Sequence, residues 1–284
     1  MERATVKDGA GAAKYELFYP SGTAGGTVRH PILAWGNGTD ATVAEYSRLL
    51  AQMASWGFAV IASTSANTGT GQEMLASVDW LVAANDDPAS AFYGTLDPTK
   101  IGVFGHSQGA GGSMRAFALA NEPGSGHRPM STLVPIELPA QKWICVGNSD
   151  PECKARHWFD GAAIRSGSVF FVNGSRDSLI SPSTQAPGTE GQQSMAAFFD
   201  AVPDAVPKAR ATLAGADHND IQDACKILCS VPQAEYFGYL VAWMRYRLMD
   251  DPIASLAFAG PDAELVRNAG WENATVSGLG VKPD

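Results

Sequence analysis

Charged residues are scarce in this sequence of 284 residues: they make up 17%, and 20 lysines and arginines face 29 aspartates and glutamates. The net charge of −9 and the lack of a basic cluster argue against nucleic acid or an anionic membrane surface as a partner. Long apolar runs are also missing, since none approaches the roughly 18 residues of a membrane span. With 45% hydrophobic residues, the chain predicts one sizeable core and a single domain over residues 1–284.

Cysteine is rare as well, with four residues in two local pairs. No C-x-x-C occurs and no histidine lies at zinc-finger spacing, so we predict no metal site and no cofactor. Disulfides Cys145–Cys153 and Cys225–Cys229 are favoured, with free thiols as the alternative. The N-terminus lacks the apolar core of a signal peptide. Because disulfides persist in oxidising compartments, we expect a secreted or extracytoplasmic protein whose signal peptide is absent from this sequence.

Apolar strand-like runs alternate with amphipathic helix-like runs along the chain. This alternation predicts an α/β fold with a mostly parallel central sheet and helices on both faces. We expect residues 1–30 to be an irregular leading segment with a weak edge strand, and residues 250–284 to be a tail that wraps around the domain. No insertion is long enough to predict a helical lid. Strands are predicted at 31–35, 58–62, 101–104, 132–136, 167–172 and 209–213, and helices at 43–56, 72–84, 110–120, 191–201 and 235–248.

The most informative stretch is G-H-S-Q-G at residues 105–109, which stands between an apolar strand and a helix. A G-x-S-x-G sequence in this strand–turn–helix context is the nucleophile elbow of α/β-hydrolases, and it predicts Ser107 as the nucleophile. Glycine is needed at positions 105 and 109 because a Cβ would clash where strand and helix approach. The helix start that follows offers backbone N–H groups to a developing oxyanion.

A serine hydroxyl needs a base, because it is a poor nucleophile near neutral pH. Of the five histidines, His218 is the best candidate, since it lies just past the last predicted core strand. Asp177 follows the strand between the elbow and that histidine, which gives the order Ser–Asp–His of an α/β-hydrolase. We therefore predict a triad of Ser107, His218 and Asp177. The backbone N–H groups of Gln108 and Asn37 are predicted to form the oxyanion hole.

The substrate cleft is predicted at the carboxyl ends of the strands, where α/β folds carry their active groups. Gly38 and Ser65, on loops that leave this edge, and His106, which adjoins the nucleophile, are predicted to contact substrate, as is Trp143. The irregular stretch at 137–164 contains Trp143 and Trp158, which are expected either at the cleft or in core packing.

Several motifs together resemble the bacterial cutinase and polyethylene terephthalate hydrolase family. They are the elbow G-H-S-Q-G-A-G-G-S, R-D-S-L-I-S-P at 176–182, A-G-A-D-H-N-D at 214–220, and the stretches at 49–62 and 241–251. The resemblance implies the same triad and adds Leu179 as an aliphatic cleft residue. Gln108 stands where the family has methionine, Asn37 where an aromatic residue is common, and the cysteine positions also differ. The loop W-G-N-G-T at 35–39 is closer to chlorophyllase-like esterases.

The function predicted from the residues and from this resemblance is a metal-independent serine carboxylester hydrolase with an acyl-enzyme mechanism. We expect a monomer with an open cleft that takes small-molecule or polymeric esters. Chlorophyllase-like or general lipase activity is the alternative among enzymes. A hydrolase-fold binding protein without catalysis is the alternative outside them.

Overall fold

A computed structural model describes residues 1–22, 28–223, 230–260 and 262–280. Its centre is a nine-stranded sheet in the order β1-β2-β4-β3-β5-β6-β7-β8-β9. Strands β3 to β8 pair in parallel, and antiparallel pairs occur where β1, β2 and β9 join at the two edges. The predicted mostly parallel sheet is confirmed. The strands are β1 (Glu2–Lys7), β2 (Ala13–Tyr19), β3 (His30–Gly36), β4 (Ala59–Ser63), β5 (Leu96–His106), β6 (Thr132–Ile136), β7 (Val169–Gly174), β8 (Lys208–Leu213) and β9 (Trp271–Ser277).

Helices cover both faces of this sheet, as an α/β-hydrolase fold requires. One apolar cluster packs α1 and α6 against the sheet, and a second packs α2, α3 and α5 on the opposite face. Adjacent residues of β3 alternate between the two clusters, since successive side chains of a strand point to opposite faces. The helices are α1 (Ser47–Ser55), α2 (Gln72–Asp86), α3 (Gln108–Ala120), α4 (Cys153–His157), α5 (Met195–Ala201), α6 (Ala234–Leu248), α7 (Pro252–Ser255) and α8 (Glu264–Arg267).

Both ends of the chain differ from the sequence-based expectation. The weak strand expected within residues 1–30 is found as β2, but β1 was not expected there, and the tail after residue 250 contributes β9 to the other edge. Most residues of β1 and β9 are exposed or half-buried. An edge strand of this kind lacks the continuous apolar run that marks a strand buried on both faces, so its sequence signal is weak.

The start of α5 and the second cysteine pair differ from the other local predictions. The predicted helix at 191–201 begins later, at Met195, because the Ser194 side chain accepts a hydrogen bond from the Ala197 N–H and caps the helix there. The predicted pair Cys225–Cys229 lies outside the described residues. Within the described ranges, no helix combines the length and the apolar character that crossing a bilayer would require.

Candidate active site

The turn between β5 and α3 holds Ser107 in a strained backbone conformation. Its φ of 54° and ψ of −120° lie outside the regions that residues with a Cβ ordinarily occupy. A Cβ on Gly105 would lie 2.4 Å from the Gly109 carbonyl oxygen, and one on Gly109 would lie 2.2 Å from that of Gly36. The predicted need for glycine at both positions is confirmed. The tight turn lifts the Ser107 hydroxyl above the carboxyl end of the sheet.

The side chains of Ser107, His218 and Asp177 form a continuous hydrogen-bonded chain. The Nε2 atom of His218 is 2.9 Å from the Ser107 hydroxyl, and its Nδ1 atom is 2.5 Å from a carboxylate oxygen of Asp177. Ser107, Asp177 and His218 follow β5, β7 and β8, respectively. The carboxyl ends of these parallel strands lie at the same edge of the sheet, which brings the three residues together. Because an ionised Asp177 can only accept, the Nδ1 atom carries the proton and Nε2 is free to accept from the serine.

The Asp177 carboxyl is buried and surrounded by donors. Burial by itself raises its pKa, but the hydrogen bond and charge of His218 and the backbone N–H groups of Ile180 and Ser181 outweigh burial and hold the pKa below its ordinary value. The Ile180 N–H lies 2.9 Å from the carboxylate. Asp177 is therefore ionised at neutral pH and suited to hold the imidazole of His218 in one orientation.

Asn37 lies in the loop that follows β3 and is fully buried. Its side-chain oxygen accepts from the Trp35 indole N–H. Its amide donates to the carbonyl of Ser63, the last residue of β4, and to that of Ser65 in the following loop. These bonds tie two loops together at the edge of the site. The predicted use of its backbone N–H in an oxyanion hole stays a prediction, and so does that of Gln108. Gln108 begins α3 and borders the cleft.

His106 precedes the nucleophile but lies beneath the site, with 1% of its surface exposed. Its Nδ1 atom is 2.9 Å from the Tyr46 hydroxyl, and its Nε2 atom is 2.8 Å from the His218 carbonyl oxygen. Burial, followed by the charge of His218, lowers the pKa of His106 to about 3, so the ring is neutral. Since the carbonyl only accepts, Nε2 carries the proton and Nδ1 accepts from Tyr46. His106 supports the loop of the base and does not face substrate, which corrects the expectation that it lines the cleft.

A cleft of about 510 Å³ opens beside Ser107 and His218. Of the five residues predicted to contact substrate, Trp143 lines it, whereas Gly38, Ser65 and Leu179 are absent from the lining, as is His106. The Gly38 N–H points to the Tyr46 hydroxyl at 3.2 Å, and Leu179 is exposed while its neighbour Ile180 faces the cleft. The other lining residues are Thr39, Asn67, Gly69, Gln108, Pro139, Ile144, Cys145, Val146, Asn148, Cys153, His157 and Phe159.

Residues 143–159 supply half of this lining, and we call them the cleft wall. The predicted Cys145–Cys153 disulfide is confirmed and closes a loop within the wall. The Trp143 indole N–H donates to the Leu179 carbonyl at 2.9 Å, which fixes the start of the wall. Arg115 of α3 donates to the Trp158 carbonyl at 2.7 Å and fixes its end. Trp158 itself is 44% exposed and does not line the cleft.

Two groups of side chains near the cleft have metal-ligand types at close range. One comprises Cys145, Cys153 and His157, and the other comprises Glu137, Asp177 and His218. The cysteines of the first group are joined in a disulfide and offer no thiolates. In the second group the Nδ1 atom of His218 is already hydrogen-bonded to Asp177. Neither arrangement favours a bound metal.

Glu137 and His157 are residues near the site to which the sequence analysis gave no role. Glu137 directly follows β6, as Asp177 follows β7, so its place after a buried strand was a readable signal. His157 sits at the end of the short helix α4 and follows no strand, so no sequence pattern pointed to it.

Comparison with known proteins supports the α/β-hydrolase superfamily that the fold and the elbow indicate. Residues 1–125 match a family model described as PET hydrolase-like. The chain is also 30% identical over 105 residues to a bis(hydroxyethyl) terephthalate hydrolase of Streptomyces coelicolor, a match that covers 35% of this chain and 32% of that relative.

These matches confirm the resemblance to α/β-hydrolases of PETase and cutinase type. The family match includes the elbow with Ser107 and ends before Asp177 and His218. The chain spans about a third of the length of the curated relative that it matches. The assignment of the acid and the base therefore depends on the geometry described above.

Proposed function

We propose that this protein is a serine carboxylester hydrolase of the polyester-hydrolase type. The observation that carries the proposal is the hydrogen-bonded chain from Ser107 through His218 to Asp177 at the mouth of an open cleft. The similarity of residues 1–125 to PET hydrolases supports the same reaction class. The sequence relative that acts on bis(hydroxyethyl) terephthalate suggests a small aromatic diester as the first substrate to test.

In the proposed mechanism, the Ser107 hydroxyl attacks the ester carbonyl while His218 Nε2 takes its proton. The negative charge that develops on the carbonyl oxygen is stabilised by the backbone N–H groups of Gln108 and Asn37. His218 then gives the proton to the departing alcohol, which leaves an acyl-enzyme on Ser107. A water molecule, deprotonated by His218, releases the acid and restores the serine. Asp177 holds the imidazole and stabilises its cation throughout.

The cleft lining supports an ester with an apolar or aromatic acyl part. Trp143, Ile144, Val146, Phe159 and Ile180 provide apolar surface. Asn67, Gln108 and Asn148 offer amide groups. A mostly apolar pocket with a few polar groups is the usual composition of a small-molecule site.

A chlorophyllase-like or general esterase activity is the second candidate, favoured by the W-G-N-G-T loop and by Gln108 in the cleft. Hydrolysis of long-chain p-nitrophenyl esters or of the phytyl ester of chlorophyll in preference to bis(hydroxyethyl) terephthalate would favour it. We further propose an extracytoplasmic location and a monomeric state. The Cys145–Cys153 disulfide supports the location, because cytosolic thiols are kept reduced.

The deciding experiment compares the intact protein, Ser107→Ala and the matched control Ser55→Ala on p-nitrophenyl butyrate. Ser55 lies at the end of α1, where its hydroxyl bonds the Gln52 carbonyl. We expect kcat/KM to fall by a factor on the order of 10⁴ to 10⁶ in Ser107→Ala and to stay unchanged in Ser55→Ala, as loss of the nucleophile does in other triads. Intact protein that neither cleaves the ester nor reacts with a fluorophosphonate would indicate a binding protein instead.

A further inference from the structure

Glu137 is a fully buried acid that the proposed mechanism does not use. It directly follows β6 with a φ of 49°, an uncommon conformation for a residue with a Cβ. Its N–H donates to the Val172 carbonyl at 2.8 Å, which ties it to the end of β7. Backbone strain and burial of a carboxyl both cost free energy, so a compensating interaction is expected at this position.

The two carboxyl oxygens of Glu137 have different surroundings. One accepts a hydrogen bond from the Tyr236 hydroxyl of α6 at 2.8 Å. The other is buried and has no conventional donor. It belongs to a group in which ligand atoms of Glu137, Asp177 and His218 all lie within 4.8 Å of one another. Glu137 and Asp177 also lie within hydrogen-bonding range of each other, so the two carboxyls are direct neighbours.

Two ionised carboxylates side by side in a buried site would repel each other, and each would lack solvent. Asp177 has strong reasons to be ionised, because His218 and two backbone N–H groups stabilise its charge. Burial, and then the charge of Asp177, raise the pKa of Glu137 well above its ordinary value. Hydrogen bonds from the Gly174 N–H and the Tyr236 hydroxyl lower the pKa of Glu137 but do not outweigh these two causes. Tyr236 is itself a neutral donor, since burial and Glu137 raise its own pKa.

We propose that Glu137 is a protonated carboxylic acid that donates a hydrogen bond from its unpaired oxygen to Asp177 and so positions the acid of the triad. Tyr236 holds the other oxygen and fixes the orientation of the carboxyl. The neutral form adds a donor to Asp177 without placing a second negative charge beside His218. The positioning role rests on the proposed esterase function, whereas the protonation state does not.

The test uses Glu137→Gln and Glu137→Met in the full chain. Glutamine reproduces the neutral acid, since its amide N–H can donate to Asp177 while its oxygen accepts from Tyr236. Methionine keeps a similar volume and removes the donor. We expect Glu137→Met to lower kcat roughly tenfold or more with a smaller change in KM, because a hydrogen bond to a charged group is lost. Glutamine restores most of that kcat.

The pH profile separates the proposal from its rival, an ionised Glu137. If Glu137 is neutral, Glu137→Gln leaves the acid limb of kcat/KM at the same pH as in the intact protein. If Glu137 is ionised, the substitution removes a negative charge near His218 and moves that limb to lower pH, which overturns the proposal. Full kcat in Glu137→Met would overturn the positioning role.

A readout without turnover keeps the proposal testable if Glu137→Met does not fold or if the protein is not an esterase. Infrared spectra of Ser107→Ala at neutral pH are compared with those of Ser107→Ala combined with Glu137→Gln. We expect the carbonyl band of a protonated carboxylic acid in the first and its loss in the second. Absence of that band from Ser107→Ala shows that Glu137 is ionised and rejects the proposal.

Discussion

The two sides of the cleft are held in place by different forces. On the catalytic side, Ser107, Asp177 and His218 follow β5, β7 and β8, three strands of the parallel part of the sheet. On the substrate side, the cleft wall at 143–159 has no strand, and it depends on a disulfide and a few hydrogen bonds to backbone carbonyls. The chemistry is thus attached to the core, while the shape of the cleft depends on a locally crosslinked segment.

This comparison shows why one side could be read from the sequence more easily than the other. A residue at the end of a buried strand inherits its position from the ladder of backbone hydrogen bonds. A residue in the wall is positioned by contacts with side chains and backbone carbonyls that are distant in the sequence. Changes on the catalytic side should therefore alter turnover, and changes in the wall should alter substrate binding and local stability.

The largest effect expected on the catalytic side beyond loss of the nucleophile is that of Asp177→Asn. An amide at this position donates to His218 or leaves it in the wrong tautomer, so we expect kcat to fall on the order of 10³- to 10⁴-fold with little change in KM. Steady-state kinetics with p-nitrophenyl butyrate measures both. Asp217→Asn is the matched control, because the Asp217 side chain accepts a hydrogen bond from the backbone N–H of His218, which asparagine can also accept. A loss below tenfold in Asp177→Asn would contradict the assigned role.

A smaller effect is expected from opening the wall with the pair Cys145→Ser and Cys153→Ser. The bridge joins residues eight positions apart. In the chain-entropy description, loss of so short a crosslink costs about 2–3 kcal/mol of the free energy of unfolding. We expect KM to rise several-fold and kcat to change less, because the triad is held by the sheet. Urea unfolding and steady-state kinetics measure the two effects.

The control for that experiment is the pair Cys225→Ser and Cys229→Ser, which leaves the wall bridge intact. If the wall variant lost kcat as strongly as it lost affinity, the two sides of the cleft would be coupled and not independently held.

The smallest expected effect is a pH dependence of the free energy of unfolding that arises from His106, which lies beneath the catalytic base. The pKa of His106 is about 3 in the folded protein, against about 6.5 in an unfolded chain. Because the pKa of His106 is lower in the folded protein, the unfolded chain binds a proton at a higher pH than the folded protein does. Stability is therefore complete above pH 6.5 and is lost as pH falls towards 3. Between pH 6.5 and 5.0, this group should remove on the order of 1–2 kcal/mol from the free energy of unfolding.

Urea titrations at both pH values measure this loss, and His106→Gln is the comparison because glutamine can bond both Tyr46 and the His218 carbonyl without titrating. We expect the variant to lose less stability than the intact protein over this pH interval, by the contribution of His106. Equal losses in the two proteins would show that His106 is not depressed.

Local sequence patterns predicted much of the fold. The bounds of the central strands lie within two residues of the predicted ones, except that β5 begins five residues earlier. The agreement arises because continuous apolar runs mark strands buried on both faces. The edge strands β1 and β9 were missed, since half-exposed strands carry only a weak pattern. The elbow was recognised because its glycines are required by sterics that any copy of the turn must obey.

The alternating α/β architecture, the elbow and the order of the candidate triad residues can be read from the amino-acid sequence, since they follow from local sterics and from strand ends that meet at one edge. Three features became visible in the folded chain alone: His106 lies under the site, the wall at 143–159 lines the cleft, and the buried carboxyl of Glu137 lies beside that of Asp177. Those outcomes depend on contacts between residues far apart in the chain, and no local pattern records which distant partner a buried polar group will find.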